Sequence, residues 1–201
     1  LSQRLSIRTT RPPAATGQAW EDATERAVYA VMQADGIERV SASDGRGESI
    51  ESRGRLVSAR GEALGTFTQR IELAAGSPLV FLDVTVRLAR PVTGPFFEHY
   101  AACRFAWNEN EDVDVRRSLG TQSVASDRGR FTAPWFIELG GDAEPAATAG
   151  GRGRVAILTG GLPWHVRSSP HMLDTILPAS TEGGTAAVRL ALGVGLERPW
   201  D

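Results

Sequence analysis

Two consecutive runs of this chain alternate apolar and polar residues with a period of two. Residues 66–73 place Phe67, Ile71 and Leu73 on one face, and residues 79–89 do the same with Val80, Leu82, Val84, Val86 and Leu88. Successive side chains of a strand point to opposite faces. Sustained alternation therefore describes antiparallel sheet with one buried side, and it is incompatible with a helix. Gly76-Ser77-Pro78 supplies the turn between the runs. Further strand signals lie at residues 5–9, 55–58, 96–107, 112–117, 131–139, 154–159 and 185–194. Residues 25–34 fit either helix or strand. We read them as strand, because Asp35-Gly36 followed by residues 37–40 has the form of a hairpin. No amphipathic helix longer than three turns stands out. Many strands separated by Gly and Pro predict an all-β fold, a large antiparallel two-sheet β-sandwich with Phe67, Ile71, Val84 and Val86 inside.

A chain of 201 residues is long enough for one large all-β domain with a real core. We divide it into an N-terminal strand and loop, 1–24, and a sandwich domain, 25–201. Residues 12–24 and 139–153 read as loops from their Pro, Ala, Thr, Gly and Asp content. The net charge of −2 implies no basic face for nucleic acid, and no apolar run approaches a membrane span. All 22 basic residues are Arg, which suits carboxylate and hydroxyl recognition better than Lys. Cys103 is the only cysteine. That rules out an internal disulfide framework and favours a reducing compartment such as the cytoplasm. The sequence starts at Leu1, ends at Asp201 and reads as a piece of a longer protein.

Chemistry-bearing residues cluster in three places. Alternation along 98–107 puts Glu98, Tyr100 and Arg104 on one face, and His99, Cys103, Phe105 and Trp107 on the other. The adjacent Arg116 and Arg117 must point to opposite faces. One of them can offer a guanidinium fork to a sugar hydroxyl or an acid, and the plainer reading is a surface pair with Glu109, Glu111 or Asp112. Trp135, flanked by Phe136 and Ile137, reads as packed. The densest stretch follows Thr159-Gly160-Gly161, with Trp164, His165, Arg167, His171 and Asp174. His165 and His171 are six apart with Pro170 between them, too far for one metal by local geometry, and no Cys stands near. No nucleophile elbow, phosphate loop or distinctive carboxylate pair is present, so no catalytic residue and no metal ligand is assigned.

Three segments in order carry a resemblance. Arg104-Phe105-Ala106-Trp107 followed by Arg116-Arg117-Ser118, then residues 131–137, then residues 154–177 with Gly-Gly-Leu-Pro-Trp-His and Met-Leu-Asp-Thr-Ile-Leu, resemble the late β-sandwich segment of family 38 glycoside hydrolases, the α-mannosidase family. They span roughly residues 50–195. The resemblance implies a supersandwich of the galactose-mutarotase-like kind. It also implies a carbohydrate partner and an N-terminal catalytic domain that carries the zinc and the carboxylate nucleophile. Nothing before residue 50 resembles that domain, so no cofactor is expected in this stretch. The family sandwich is often larger, so this chain is expected to be part of it. What the resemblance implies for these residues is support of the site. The candidates for substrate binding or domain contact are Arg104, Arg117, Trp164, His165, Arg167 and Asp174. Two alternatives remain: an independent carbohydrate-binding module using exposed tryptophans, and a mutarotase-like epimerase using His99 or His165 with Glu98 or Glu138.

Overall fold

The computed structural model describes residues 1–11, 26–41, 47–110, 113–140, 154–180, 184–194 and 196. The expected loops at 12–24 and most of 139–153 lie outside them. Among the described residues there are fifteen strands and one short 3-10 turn, Pro178–Ser180. They form two sheets in which every neighbouring pair of strands is antiparallel. This is the all-β two-sheet sandwich that the alternation predicts.

The small sheet has six strands. In spatial order they are β10 (Arg130–Thr132), β13 (Trp164–Ser169), β14 (Met172–Leu177), β7 (Tyr100–Ala106), β1 (Ser2–Thr10) and β2 (Ala27–Tyr29). The large sheet has nine: β3 (Val31–Ser41), β4 (Gly47–Val57), β5 (Ala63–Ala74), β6 (Leu79–Leu88), β15 (Thr185–Val194), β12 (Val155–Leu158), β11 (Phe136–Gly140), β8 (Asp114–Leu119) and β9 (Gln122–Ala125). The strand set apart at the N-terminus, β1, thus lies inside the small sheet between β7 and β2.

The core fills the space between the sheets. Leu5 and Ile7 of β1, Cys103 and Phe105 of β7, and Leu173 and Leu177 of β14 come from the small sheet. Phe67, Leu82, Val84, Val86, Ile137, Ile157 and Leu190 meet them from the large one. Burial removes the Cys103 thiol from water and pushes its pKa up to about 12, so it behaves as a packed apolar group.

Four expectations change. Ile71 and Leu73 share the inward face of Phe67, yet they are 38% and 52% exposed, because the narrower small sheet does not reach that corner. Asp35-Gly36 is not a hairpin turn. β3 runs straight through it, with a bulge where the register to β4 shifts between Ala34 and Gly36. The run 96–107 becomes strand only at Tyr100, since the backbone amides of Glu98 and His99 bond the Pro95 carbonyl in a turn. The run 131–139 is two strands, with Ala133-Pro134-Trp135 crossing between sheets, and Trp135 is 64% exposed rather than packed.

Glycine makes the return crossing possible. Gly160 and Gly161 have φ of 61° and 88°, and a Cβ on Gly160 would lie 2.1 Å from the Arg189 carbonyl oxygen. The chain there turns from β12 in the large sheet to β13 in the small one.

Ile71 and Leu82 are direct cross-strand partners on one face, but only Leu82 is covered. We expect Leu82→Ala to cost about 2–5 kcal/mol in urea unfolding and Ile71→Ala about 1 kcal/mol or less. Equal costs would show that the corner is covered after all.

Candidate functional site

Side-chain direction on β7 and β14 decides which polar groups can meet. Cys103 and Phe105 face the core, so Tyr100, Ala102 and Arg104 face outward from the small sheet. Leu173 and Leu177 face the core, so Asp174 and Ile176 also face outward. The register sets Asp174 opposite Arg104. The result is a forked ion pair, in which Arg104 Nε donates to Asp174 Oδ1 at 2.7 Å and Nη2 donates to Oδ2 at 2.8 Å. Tyr100 donates its hydroxyl proton to Oδ2 at 2.8 Å. Asp174 has no solvent exposure.

Tyr29 of β2 covers the pair from outside, its ring centre 3.7 Å from the Arg104 guanidinium carbon. Burial disfavours the Arg104 charge, but the hydrogen bonds and attraction of Asp174 more than offset this, and the Arg104 pKa is raised. Burial, reinforced by the Asp174 charge, raises the Tyr100 pKa well above the phenolic range, so the group stays a donor. Arg8 closes the far end, donating from Nη1 to the Phe97 carbonyl at 3.0 Å and from Nε to the Tyr29 hydroxyl at 3.2 Å.

A second group gathers where residues 133–135 cross between sheets. His165 points inward, stacked on Phe131 at 5.5 Å and fully buried. The Ala133 carbonyl, which can only accept, lies 3.1 Å from Nε2, so Nε2 carries the proton. Nδ1 then accepts from the Thr175 hydroxyl at 3.2 Å. Burial, opposed by hydrogen bonds to the backbone of Ala133 and Leu162, lowers the His165 pKa to about 4. Arg117 binds the adjacent carbonyl, that of Thr132, at 3.2 Å. Thr159 donates its hydroxyl to the Pro134 carbonyl at 2.7 Å, and its amide to that of Trp135 at 3.0 Å.

Of the six candidates, Arg104 and Asp174 therefore meet directly, and Arg117 and His165 hold neighbouring carbonyls of one crossing segment. Trp164 lies on the outer surface, 41% exposed, with its ring centre 5.9 Å from Phe96 and 5.8 Å from Phe97. Arg167 stands apart and donates to the Pro170 carbonyl at 3.0 Å. Arg116, paired in sequence with Arg117, turns to Ser123 and to the buried Glu138, 3.8 Å away. Ser123 also hydrogen-bonds Glu138. The third histidine, His99, bonds the Thr10 hydroxyl through Nε2 at 2.8 Å. Among the described residues no three His, Cys, Asp or Glu side chains are placed to hold a metal ion. No described helix is long and apolar enough to cross a membrane. Sequence reading missed Arg8, Tyr29 and Phe97, because they join the Arg104 group only through the pairing of β1 with β2 and β7.

No family model matches the sequence. No curated protein matches it either. Solved structures do match the fold. The crystal structure of an α-mannosidase from Enterococcus faecalis V583 aligns with a TM-score of 0.60 at 9% identity, over 94% of this chain and 25% of that one. A protein in glycosyl hydrolase family 38 from Enterococcus faecalis aligns with a TM-score of 0.58 at 10% identity, over 94% of this chain and 26% of that one. The chain thus spans about a quarter of the length of these proteins and shares the fold of that quarter.

Two outcomes follow from the buried groups. Asp174→Ala strands a mostly buried guanidinium and the Tyr100 hydroxyl, and we expect a loss of about 3–5 kcal/mol. The double change Arg104→Met with Asp174→Leu should cost less than Asp174→Ala alone in the same unfolding assay. His165 is neutral when folded and takes up a proton on unfolding below about pH 6.5. Its stabilising effect is therefore complete above that pH. As pH falls towards 4, up to roughly 3 kcal/mol should be lost, and a His165→Gln variant should lack this component of the pH profile.

Proposed function

We propose that this chain is the non-catalytic β-sandwich portion of a glycoside hydrolase resembling the α-mannosidases, and that it supports a sugar site completed by a further domain. The observation that carries this reading is the fold match over 94% of the chain to a quarter of an α-mannosidase and of a family 38 protein. The state of the polar groups supports it. Asp174 and His165 are wholly buried and saturated with internal hydrogen bonds, which suits rigid support better than proton transfer to a substrate. On this reading Trp164, which is exposed, and Arg167, half-buried on the opposite face of the same strand, meet the sugar or the neighbouring domain, and zinc belongs to that neighbour.

The burial of His165 separates it from them. It plugs the sandwich end, and its replacement acts through stability. The same burial counts against an epimerase that uses His165 and Glu138 as its acid and base.

A second reading, an independent carbohydrate-binding module, draws on one observation. Trp164 and Phe96 are both exposed and in edge contact, an arrangement on which a sugar ring can stack.

The test uses the 201-residue protein beside a full-length relative that carries the same residues. The short protein should not hydrolyse aryl α-mannosides, with or without added zinc. In the full-length enzyme, Arg167→Ala and Trp164→Ala should lower kcat/KM about ten-fold, the loss of roughly 1.4 kcal/mol of transition-state binding, without lowering the Tm of the isolated sandwich. Unchanged kcat/KM per folded molecule would count against the supporting role. Calorimetric binding of manno-oligosaccharides to the short protein, abolished by Trp164→Ala, would favour the binding module instead.

A further inference from the structure

We propose that the free edge of β1 between Ser2 and Ser6 is a docking site for an extended peptide segment of another polypeptide, one that carries a carboxylate side chain. β1 pairs along its length with β7, from Ser2 to Arg8. On its other side β2 covers only Arg8, Thr9 and Thr10. The chain then leaves for the large sheet. The Ala30 amide donates to the Ile7 carbonyl at 2.9 Å, and the Ala30 carbonyl accepts from the Ser6 hydroxyl at 3.0 Å. Beyond that rung no described strand pairs with β1.

The Ile7 carbonyl points to this edge. Main-chain groups two residues apart in an antiparallel strand point the same way, so those of Leu5 and Gln3 also face the open side. A row of unpaired donors and acceptors of this kind is a template for an added strand.

A cleft of about 660 Å³ opens over this end of β1, lined by Leu5 and Ser6 of β1, by Val31 and Met32 where β3 departs, and by Arg104, Ala106 and Met172 from the outer faces of β7 and β14. Val31 is exposed, so the wall where β3 departs can take an apolar side chain on the flank of a strand. Four residue steps of β1 give about 14 Å of edge, enough for an added strand of about five residues.

Charge selects the peptide. Arg4 lines this cleft and stands directly opposite Arg104 in the β1–β7 ladder. Like charges in that position repel. Arg104 has Asp174 as its counterion, whereas Arg4 is exposed and has no ion pair among the described residues. The cleft therefore carries one uncompensated positive charge beside an open hydrogen-bonding edge. A carboxylate on the incoming strand would both satisfy Arg4 and relieve its repulsion with Arg104.

The experiment uses the 201-residue protein and a blocked hexapeptide of alternating valine and threonine with one central glutamate. In amide NMR spectra, the Gln3 and Leu5 signals should shift on titration, and their hydrogen exchange should slow about ten-fold at saturation. The Arg4 amide, which faces the opposite edge, should keep its exchange rate. The peptide with glutamine in place of glutamate should bind about three- to five-fold more weakly. Arg4→Gln should erase that preference without lowering Tm, since its side chain is exposed and its charge is repelled by Arg104. Unperturbed Gln3 and Leu5 amides at millimolar peptide would overturn the proposal, as would equal binding of the two peptides. Sodium acetate alone reproducing the shifts would also overturn it, by assigning the cleft to small anions.

Discussion

Burying Asp174 fixes the register of the small sheet. A carboxylate with no access to water needs its charge met and its oxygens bonded, and only one alignment of β14 on β7 brings Arg104 and Tyr100 to it. A slip of one residue would turn Asp174 into the core and Leu173 out to solvent. The same row continues to β1, where Arg4 lies opposite Arg104, so the electrostatic requirement aligns β7 and β14, and packing of Leu5 and Ile7 aligns β1. Replacing the pair by apolar residues would leave packing to set the register alone. The ion pair thus contributes specificity even where its net stabilisation is small.

Once the small sheet is aligned, its inward residues are committed to cover the large one. Among the described residues the cover is incomplete, because six strands oppose nine. Ile37, Ile50, Ile71 and Leu73 lie on inward-facing rungs of β3, β4 and β5 and remain exposed. Period-two patterning reports which face of a strand is apolar. It does not report where the opposing sheet stops, and Ile71 was misplaced inside for that reason. Strands β5, β6 and β15 were legible because turns bound them and each stays within one sheet. The run 131–139 was not, because β10 and β11 keep a continuous apolar character while Pro134 carries the chain from one sheet to the other. The bulge at Asp35-Gly36 borrows the chemistry of a tight turn, and sequence alone does not separate the two.

The candidate site was legible residue by residue but not as an arrangement. Arg104 and Asp174 were each singled out, yet they are separated by 70 positions, and only the pairing of β7 with β14 joins them. Arg8 and Tyr29 carried no local signal, since their roles arise from lying over Tyr100 and Arg104 on neighbouring strands. His165 stood out beside Trp164 and Arg167. Alternation sends it inward and Trp164 outward, so adjacent residues serve opposite purposes.

That division bears on what a module of this kind can do. Groups inside the sandwich have exchanged reactivity for rigidity. The His165 imidazole is held neutral with both nitrogens engaged, and the Asp174 carboxylate accepts three hydrogen bonds from two side chains, those of Tyr100 and Arg104. Groups at the rim keep their freedom because the backbone beneath them is fixed. Trp164 begins β13 with only Leu162 and Pro163 between it and the turn at Gly160 and Gly161, and Arg167 lies on the same strand, whose register to β14 shifts just beyond it. A support built this way places rim side chains by anchoring the strands that carry them. Buried substitutions should then act on folding and rim substitutions on recognition, so comparing the two on one strand tells support from chemistry.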